Sequence, residues 1–448
     1  MRRGILMSNR EEDRLEELKK KLNERKYPEL AIDEAIKMGI QKAKRSKKSG
    51  HLWKAGIAAA VILLTVFISS LRVSEAFADY VRNIPGMEQI VELVRQDKGL
   101  VSIIENDYVQ EVNSSVTHKG ITITLNSFVA DQEQLVLFYK VESDSTPFED
   151  LQVEKIMVKE ESGDEVPFES LGIDSLDTEK SNMYQSNYGL KESLNNEEYT
   201  LVMNLRNGGE VFSETWEIPF SVDKKKIGKT REKHLNKEYL VEGQKVLVEK
   251  LEVSPSRTKV QMKFPAENDK RIFDIEDLRI VDENGETWSR ISNGLTASGD
   301  FEEKTYYLQS NYFEKPDELY LVFSKVRALE KDKLKVKVDT GELKIIQAPD
   351  ERLAKVEYEE IFDETGALLF SWDKRYEQAD HMSPIQSYTG ADGEVHELKS
   401  QYHEGGGVDR MPRFGFPYDR SESSGVITFE LQDYPSWIEG DVKIPLKQ

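Results

Sequence analysis

Histidine is the side chain that most often acts as a general base or metal ligand near neutral pH, and this chain has six. They stand at positions 51, 118, 234, 381, 396 and 403. His396-Glu397 opens like the helical motif of zinc peptidases, but position 400, where the second histidine of that motif would stand, is serine. Glu404 and Asp409 follow in a polar segment that is typical of a solvated loop. We therefore expect no metal ligand in this region.

Other catalytic patterns are missing as well. The sequence has no cysteine, which excludes disulfides, thiol nucleophiles and thiolate metal sites. It contains no nucleophile elbow, phosphate loop or dinucleotide fingerprint. The acidic turns Asp282-Glu-Asn-Gly285 and Asp363-Glu-Thr-Gly366 lack the ligand order of a calcium loop and match hairpin turns instead. The sequence predicts a protein that is not an enzyme, with neither catalytic residues nor a bound cofactor.

Aromatic residues near the C-terminus admit two interpretations. They could line a groove for a sugar or a peptide, or they could pack in a core, which is the more frequent use of such rings. These residues are Trp372, Tyr376, Phe414, Phe416, Tyr418 and Trp437.

An internal repeat organises the region after Val109, where apolar and polar residues alternate as they do in β-strands. Gly120-Ile-Thr-Ile-Thr-Leu125 matches Gly243-Gln-Lys-Val-Leu-Val248, and Gln185-Ser-Asn-Tyr188 recurs as Gln309-Ser-Asn-Tyr312. Each copy is long enough for a sandwich of about six to eight strands. We therefore expect two β-sandwich-like domains at 110–228 and 229–349, the second a repeat of the first.

A third, smaller β domain is expected at 350–448. Ile361-Phe-Asp-Glu-Thr-Gly366 echoes Ile280-Val-Asp-Glu-Asn-Gly285, and Val442-Lys-Ile-Pro-Leu446 echoes Trp216-Glu-Ile-Pro-Phe220 at the end of the first copy. The last echo would close the third unit, so the three units would follow one another along the chain. The predicted fold class is mainly β, with tandem β-sandwich-like repeats after N-terminal helices and one transmembrane helix.

Hydropathy and charge set the N-terminal part of the chain apart. Ala55 to Leu71 is an apolar run without a charge, at the short end for a helix that crosses a membrane. Residues 1–54 carry 16 Lys and Arg against 9 Asp and Glu, whereas the whole chain has a net charge of −21. The basic flank before the run favours a cytoplasmic N-terminus and an extracellular C-terminal region. The alternatives are a buried core helix and a signal peptide cleaved near Ala76-Phe77-Ala78.

The cytoplasmic head, residues 1–54, is predicted to contain two helices that each carry a thin apolar stripe. The stripes are Leu15, Leu18 and Leu22 in the first helix and Ile32, Ile36 and Ile40 in the second. A segment this short buries little surface by itself, so the stripes are candidates for binding a partner's groove. They could also pack on each other, lie on the membrane or belong to a solvated stalk. After the apolar run, residues 72–109 are expected to form a juxtamembrane helical region.

Taken in order, these features resemble a family of Gram-positive single-pass membrane proteins, some of which accompany extracytoplasmic-function sigma factors as anti-sigma factors. The match lies in Pro28-Glu-Leu-Ala-Ile-Asp-Glu-Ala-Ile-Lys-Met-Gly-Ile40, the apolar run, Ile84-Pro85-Gly86, Arg95-Gln-Asp-Lys-Gly-Leu100 and Gly120-Ile-Thr-Ile. The resemblance implies an inside segment that holds a sigma factor and an outside segment that senses the envelope. The His-x-x-x-Cys-x-x-Cys pattern of zinc-type anti-sigma domains is absent, which leaves the helix stripes to bind the partner.

The function expected from the sequence is that of a non-enzymatic membrane regulator, an anti-sigma factor and envelope sensor. Its partners would be a sigma factor on the cytoplasmic side, membrane lipid around the apolar run, and an envelope ligand or protein outside. The acidic body argues against direct contact with nucleic acid, because it repels phosphate backbones. The alternative is a cell-envelope binding or adhesion protein whose β repeats bind a polymer or a protein partner.

Overall fold

The computed structural model describes residues 87–144, 151–174, 176, 183–291, 296–360, 366–373, 382, 384–404, 411–420 and 425–446. Two short helices come first, α1 at Met87–Val94 and α2 at Lys98–Glu105. The strands that follow form three β-sandwiches, each with its own apolar core.

The strands are numbered in chain order. The first nine are β1 Gln110–His118, β2 Ile121–Ala130, β3 Gln134–Ser143, β4 Leu151–Glu160, β5 Phe168–Ile173, β6 Met183–Leu190, β7 Glu198–Asn207, β8 Glu210–Val211 and β9 Trp216–Ser221. The next nine are β10 Arg231–Val241, β11 Gln244–Val253, β12 Arg257–Lys263, β13 Lys270–Ile275, β14 Arg279–Asp282, β15 Thr287–Trp288, β16 Ala297–Gly299, β17 Glu303–Gln309 and β18 Leu319–Glu330. The last ten are β19 Lys335–Asp339, β20 Lys344–Gln347, β21 Leu353–Glu360, β22 Gly366–Trp372, β23 Ser387–Thr389, β24 Val395–Glu397, β25 Tyr402–Glu404, β26 Arg413–Pro417, β27 Val426–Glu430 and β28 Trp437–Pro445.

The first sandwich is built from β1 to β9. One sheet has the order β1-β2-β3-β6-β5, and in the other β7 pairs with β4, β8 and β9. Alternation along β2 places Ile121, Ile123 and Leu125 in the core between the sheets, where all three are fully buried. Trp216 of β9 also lies in this core, and its indole nitrogen donates to the Ile121 carbonyl at 3.1 Å. The apolar–polar alternation of the sequence therefore corresponds to one buried face per strand.

The second sandwich repeats this plan with one strand taken from the C-terminal end of the chain. One sheet has the order β10-β11-β12-β17-β16. In the other sheet, β18 pairs with β13 and β14 on one side and with β28 on the other. Ile444 of β28 lies opposite Leu321, just as Ile218 of β9 lies opposite Leu201 in the first sandwich. β28 therefore occupies in the second sandwich the position that β9 occupies in the first.

The third sandwich is consequently an insertion between β18 and β28. Its two sheets have the orders β20-β19-β27-β23-β24 and β21-β22-β26-β25. This arrangement differs from the expected consecutive units at 229–349 and 350–448, because β19 and β20 join the third sandwich and β28 joins the second. The echo between the two closing segments is real, but the expectation that neighbours along the chain also share a core placed the second one in the wrong unit.

The predicted fold class, mainly β with N-terminal helices and one transmembrane helix, requires correction. The described residues are mostly β-strands in sandwich-like layers, and their helices are α1, α2 and the single turns Lys224–Lys226 and Lys331–Lys333. None of these helices is long and apolar enough to cross a membrane. The spanning helix predicted at 55–71 and the helices predicted in the head, 1–54, lie outside the described residues.

Candidate functional site

The six apolar residues predicted to bind a partner lie outside the described residues. They are Leu15, Leu18, Leu22, Ile32, Ile36 and Ile40. Among the described residues, no group of three or more His, Asp or Glu side chains could hold a metal ion. His118 packs edge-on against Trp216 with ring centroids 5.5 Å apart, and His396 stacks on Tyr388 at 4.8 Å. These two histidines contribute to packing.

The C-terminal aromatic residues follow the core interpretation where they are described inside the third sandwich. The four that are buried in its core are Trp372, Phe414, Phe416 and Tyr418. Trp437 begins β28, where Lys325 lies 4.9 Å from the centroid of its ring. Tyr376 lies outside the described residues.

The helices α1 and α2 form a hairpin that packs on the outer face of the first sandwich. Asp97 caps α2, since its carboxylate accepts the backbone N–H groups of Gly99 at 2.9 Å and Leu100 at 3.1 Å. The apolar face of the hairpin is buried together with outward-facing residues of β3 and neighbouring strands. This cluster comprises Ile90, Val94, Leu100, Ile103, Ile104, Val109, Val129, Val136, Phe138 and Met183. The sandwich core covers one face of β3 and the hairpin covers the other, so apolar residues lie on both faces of this strand.

The same hairpin also touches the second sandwich. The Gln309 side-chain amide donates to the Gln96 carbonyl at 2.7 Å, and the Lys98 ammonium donates to the Thr287 carbonyl at 2.8 Å. Gly99 lies so close to the second sandwich that an added Cβ would stand 2.8 Å from the Ser256 carbonyl oxygen. We call the surface that receives the hairpin the hairpin seat. It consists of β3 and β6 of the first sandwich and residues 256, 287 and 309–310 of the second.

The two sandwiches meet directly beside the hairpin seat. Asp131, which is buried, accepts the backbone N–H of Ser256 at 2.8 Å across the junction. It also accepts the N–H groups of Glu133 at 2.8 Å and Gln134 at 2.9 Å within its own turn. Arg257 of the second sandwich donates to the Glu133 carbonyl at 2.8 Å. Burial raises the pKa of Asp131, against these hydrogen bonds, which lower it.

A small cavity of about 20 Å³ lies under the hairpin, lined among others by Asp97, Gln185 and Ser256. It is large enough for one water molecule. The side-chain oxygen of Gln185 is buried and has no hydrogen-bond partner among the described residues. Burial raises the pKa of Asp97 to about 6, although its two backbone donors lower it. The hairpin seat thus contains a buried polar atom that the described residues leave unpaired, beside the titratable carboxylate of Asp97.

Sequence reasoning missed the hairpin seat, although a signal for it was present. The repeated Gln-Ser-Asn-Tyr motif supplies one residue to the seat from each sandwich. Gln185 of the first copy lines the cavity, and Gln309 of the second copy binds Gln96. A polar motif that recurs inside strands with apolar neighbours indicates polar side chains at a buried contact. Here both glutamines, Gln185 and Gln309, face the same hairpin.

A separate groove of about 610 Å³ crosses the outer face of the sheet β21-β22-β26-β25. Arg413 lies between two carboxylates, with Glu359 at 2.6 Å and Glu404 at 2.7 Å from its nitrogens. Tyr402 and His403 complete one wall, and partial burial lowers the pKa of His403. The volume is within the usual range for small-molecule sites.

Comparisons with known proteins match two regions of the chain. A model described as a domain of unknown function (DUF4179) matches residues 47–143, and one described as a family of unknown function (DUF5643) matches residues 230–367. The first match includes the apolar run and the later parts of the resemblance described above, from Ile84-Pro85-Gly86 to Gly120-Ile-Thr-Ile, but not residues 28–40. No curated protein matches this chain.

Solved structures show low similarity. A conserved domain protein from Bacillus anthracis is 18% identical, covers 53% of this chain and 84% of its own, and has a TM-score of 0.37. Residues 217–571 of S. aureus TarS are 11% identical, cover 64% of this chain and 97% of their own, and have a TM-score of 0.16. A cycloalternan-forming enzyme from Listeria monocytogenes is 8% identical, covers 67% of this chain and 29% of its own, and has a TM-score of 0.13. The similarity that bears on this chain is therefore to two families of unknown function.

Proposed function

We propose that this protein is a non-enzymatic regulator of the cell envelope, in which the β-sandwiches sense a condition outside the cell and the N-terminal head captures a sigma factor inside it. The observation that carries this proposal is the hairpin seat. The hairpin at 87–105 is the segment through which the chain passes from the head and apolar run to the sandwiches, and it binds two sandwiches at once.

A change in the angle between the two sandwiches would reach the hairpin directly. Val94 and Leu100 pack on the first sandwich, whereas Gln96, Lys98 and Gly99 contact the second. A rotation at the junction therefore separates one set of contacts or the other, and packed interfaces of this kind shift between discrete arrangements. The hairpin would then move as a unit and alter the segment that precedes it.

The head is proposed to be the output element. Its two apolar stripes, at 15–22 and 32–40, would bind in a groove of the sigma factor as amphipathic helices do. The apolar run at 55–71 with its basic flank supports a location at the cell membrane with the N-terminus in the cytoplasm. The acidic body would then lie outside the cell.

The test is a pull-down from host cytosol with the tagged full-length chain, read by mass spectrometry. The wild type should recover a sigma factor, and the triple variant Ile32→Asp, Ile36→Asp, Ile40→Asp should not. Leu240→Asp is the matched control, because Leu240 is an exposed apolar residue of β10 and lies 63% open to solvent. Recovery of the sigma factor by the triple variant would overturn the proposed binding mode.

The groove in the third sandwich favours a second candidate function, an envelope binding or adhesion protein. In that case the sandwiches would bind a polymer or a protein partner, and the head would serve only as an anchor. Retention of cell-wall material by the full chain would be lost on Arg413→Ala, which removes the guanidinium between Glu359 and Glu404, while the pull-down would recover no sigma factor. The two functions therefore give opposite results in the same pair of assays.

A further inference from the structure

The third sandwich is attached to the second by two neighbouring crossings of the chain. The chain leaves the second sandwich at the end of β18 and returns at the start of β28, and these two strands are paired, with Arg327 opposite Trp437. Two adjacent connections define an axis, whereas one flexible linker would not. The inserted sandwich can therefore rotate about a defined axis but stays attached to the second sandwich, its host.

A cluster of charged side chains lies at this axis. Arg327 of β18 binds Glu276 of the second sandwich at 2.9 Å and Asp433, on the returning segment from the third sandwich, at 2.6 Å. The side chains of Arg327 and Glu276 are 8% and 4% exposed, so the contact is shielded from solvent. Asp274 binds Arg290 through two hydrogen bonds of 2.9 and 2.7 Å and stands 3.9 Å from Arg327. We call these five residues the insertion joint.

The insertion joint can separate without leaving an isolated charge in the second sandwich. If Asp433 withdraws with the third sandwich, Arg327 keeps Glu276 at 2.9 Å and Asp274 at 3.9 Å. An unpaired buried charge strongly destabilises a protein, and that cost is what usually holds a buried ion pair together. Here Asp433 would regain water, and Arg327 would keep Glu276, which Lys325 also binds, and Asp274, which Arg290 binds. The charge left on Arg327 would therefore still face opposite charges.

Other contacts across the joint are both polar and apolar. Arg271 of β13 binds Glu430 at 2.6 Å and the Leu431 carbonyl at 3.3 Å. Phe273 of β13 and Leu329 of β18 are buried in the core of the third sandwich, and Phe301 packs against that core. Beside these residues lies an open cleft of about 330 Å³, lined by Arg271 and Phe301 among others.

We propose that the insertion joint is a switchable hinge, closed by the bond between Arg327 and Asp433, about which the third sandwich turns relative to the second. The remaining charged groups that face Asp433 and Arg327 belong to the host: Lys304 of β17, whose ammonium donates to the Phe273 carbonyl, and Lys325 of β18, which binds Glu276 at 3.0 Å. Removing the Asp433 carboxylate therefore removes the ion pair that closes the joint. This inference goes beyond the proposed function and holds whether or not the head captures a sigma factor.

The hinge is tested by the distance between two spin labels in the full-length chain. Because the sequence has no cysteine, Leu240→Cys in the second sandwich and Val395→Cys in the third give the only labelled positions. Both residues are well exposed, at 63% and 65%. Asp433→Ala should add a second population of distances that the wild type lacks, since it removes the bond from the inserted side and leaves the host pairs intact.

The matched control is Asp339→Ala, which removes a turn carboxylate of the third sandwich that accepts the Gly341 and Glu342 N–H groups away from the joint. It should give the wild-type distance distribution. An unchanged distribution in Asp433→Ala would overturn the hinge, and so would equal broadening in both variants, which would indicate general loosening of the third sandwich. The sigma-factor pull-down does not depend on Asp433, so failure of one proposal is distinguishable from failure of the other.

Discussion

The Asp131 carboxylate accepts the Ser256 backbone N–H at 2.8 Å and thereby joins the first sandwich to the second. The same carboxylate holds its own turn through Glu133 and Gln134. One side chain therefore fixes both a local turn and an interdomain contact, and that turn leads into β3, on which the hairpin packs. Coupling between the sandwiches and the hairpin seat passes through a contiguous set of contacts as a result.

Replacing Asp131 with alanine should destabilise the junction. Three backbone N–H groups would lose their acceptor, and a buried unsatisfied donor costs about 1–3 kcal/mol. We expect the free energy of unfolding for the first urea transition, measured by circular dichroism, to fall by about 2 kcal/mol or more. Asp282→Ala is the control, because Asp282 accepts two N–H groups in an exposed hairpin turn of the second sandwich. Equal losses in both variants would contradict a special role for the junction.

Gly99→Ala should loosen the hairpin from its seat. The added Cβ would stand 2.8 Å from the Ser256 carbonyl oxygen and 2.9 Å from the Ser310 nitrogen, both backbone atoms that cannot rotate away. We expect hydrogen exchange of residues 98–105 to accelerate by about tenfold or more, which corresponds to roughly 1.4 kcal/mol of lost local stability. Protection in the sandwich cores should stay as in the wild type.

Gly209→Ala is the matched control for that experiment, since a Cβ at Gly209 would meet nothing within 4 Å. Its hairpin should exchange at the wild-type rate. If Gly99→Ala also exchanged at the wild-type rate, the close approach of α2 to the second sandwich would not hold the hairpin.

The stability of the hairpin seat should depend on pH through Asp97. Burial raises the pKa of Asp97 from 3.8 to about 6, so the packed hairpin binds a proton more tightly than the released one. The stabilisation from this group is fully present below about pH 4 and is lost as the pH rises through about 6, by on the order of 3 kcal/mol. Exchange of residues 98–105 should therefore be slower at pH 5 than at pH 7.5, after correction for intrinsic rates.

Asp97→Asn isolates this effect, because asparagine caps a helix about as well as aspartate but does not titrate. The variant should match the wild type at pH 5 and be the more protected of the two at pH 7.5. A difference between variant and wild type that does not change with pH would show that Asp97 is not the titrating group.

The sequence predicted the β-sandwich plan because alternation is a local property. Ile121, Ile123 and Leu125 could be assigned to one strand face from their spacing alone, and Trp216-Glu-Ile-Pro-Phe220 could be matched to Val442-Lys-Ile-Pro-Leu446. It could not predict which sandwich the second segment completes, because the pairing of Leu321 with Ile444 spans the whole inserted sandwich. Contacts that depend on such distant segments leave no periodic trace in the sequence.

The hairpin seat could not be predicted from the sequence for a related reason. Residues 72–109 were expected to be helical, and the spacing of Ile90, Val91 and Val94 in α1 indicates a face that is buried. Spacing does not show how many domains bury it. That information resides in Gly99 and in the two glutamines, Gln185 and Gln309, whose roles become visible only once both sandwiches are in place.

Insertion of the third sandwich makes a prediction that consecutive domains would not. Ile444 is fully buried in the core of the second sandwich, opposite Leu321. Ile444→Asp should therefore abolish hydrogen-exchange protection in β12 and β18, since it places a charge in that core and removes the strand that closes it. Protection in β22 and β26 should persist, because the third sandwich has its own core. Phe416→Asp, which alters that core instead, should give the reverse pattern. If Ile444→Asp exposed β22 and spared β12, β28 would belong to the third unit, and the closing strand would complete the domain that precedes it in the chain.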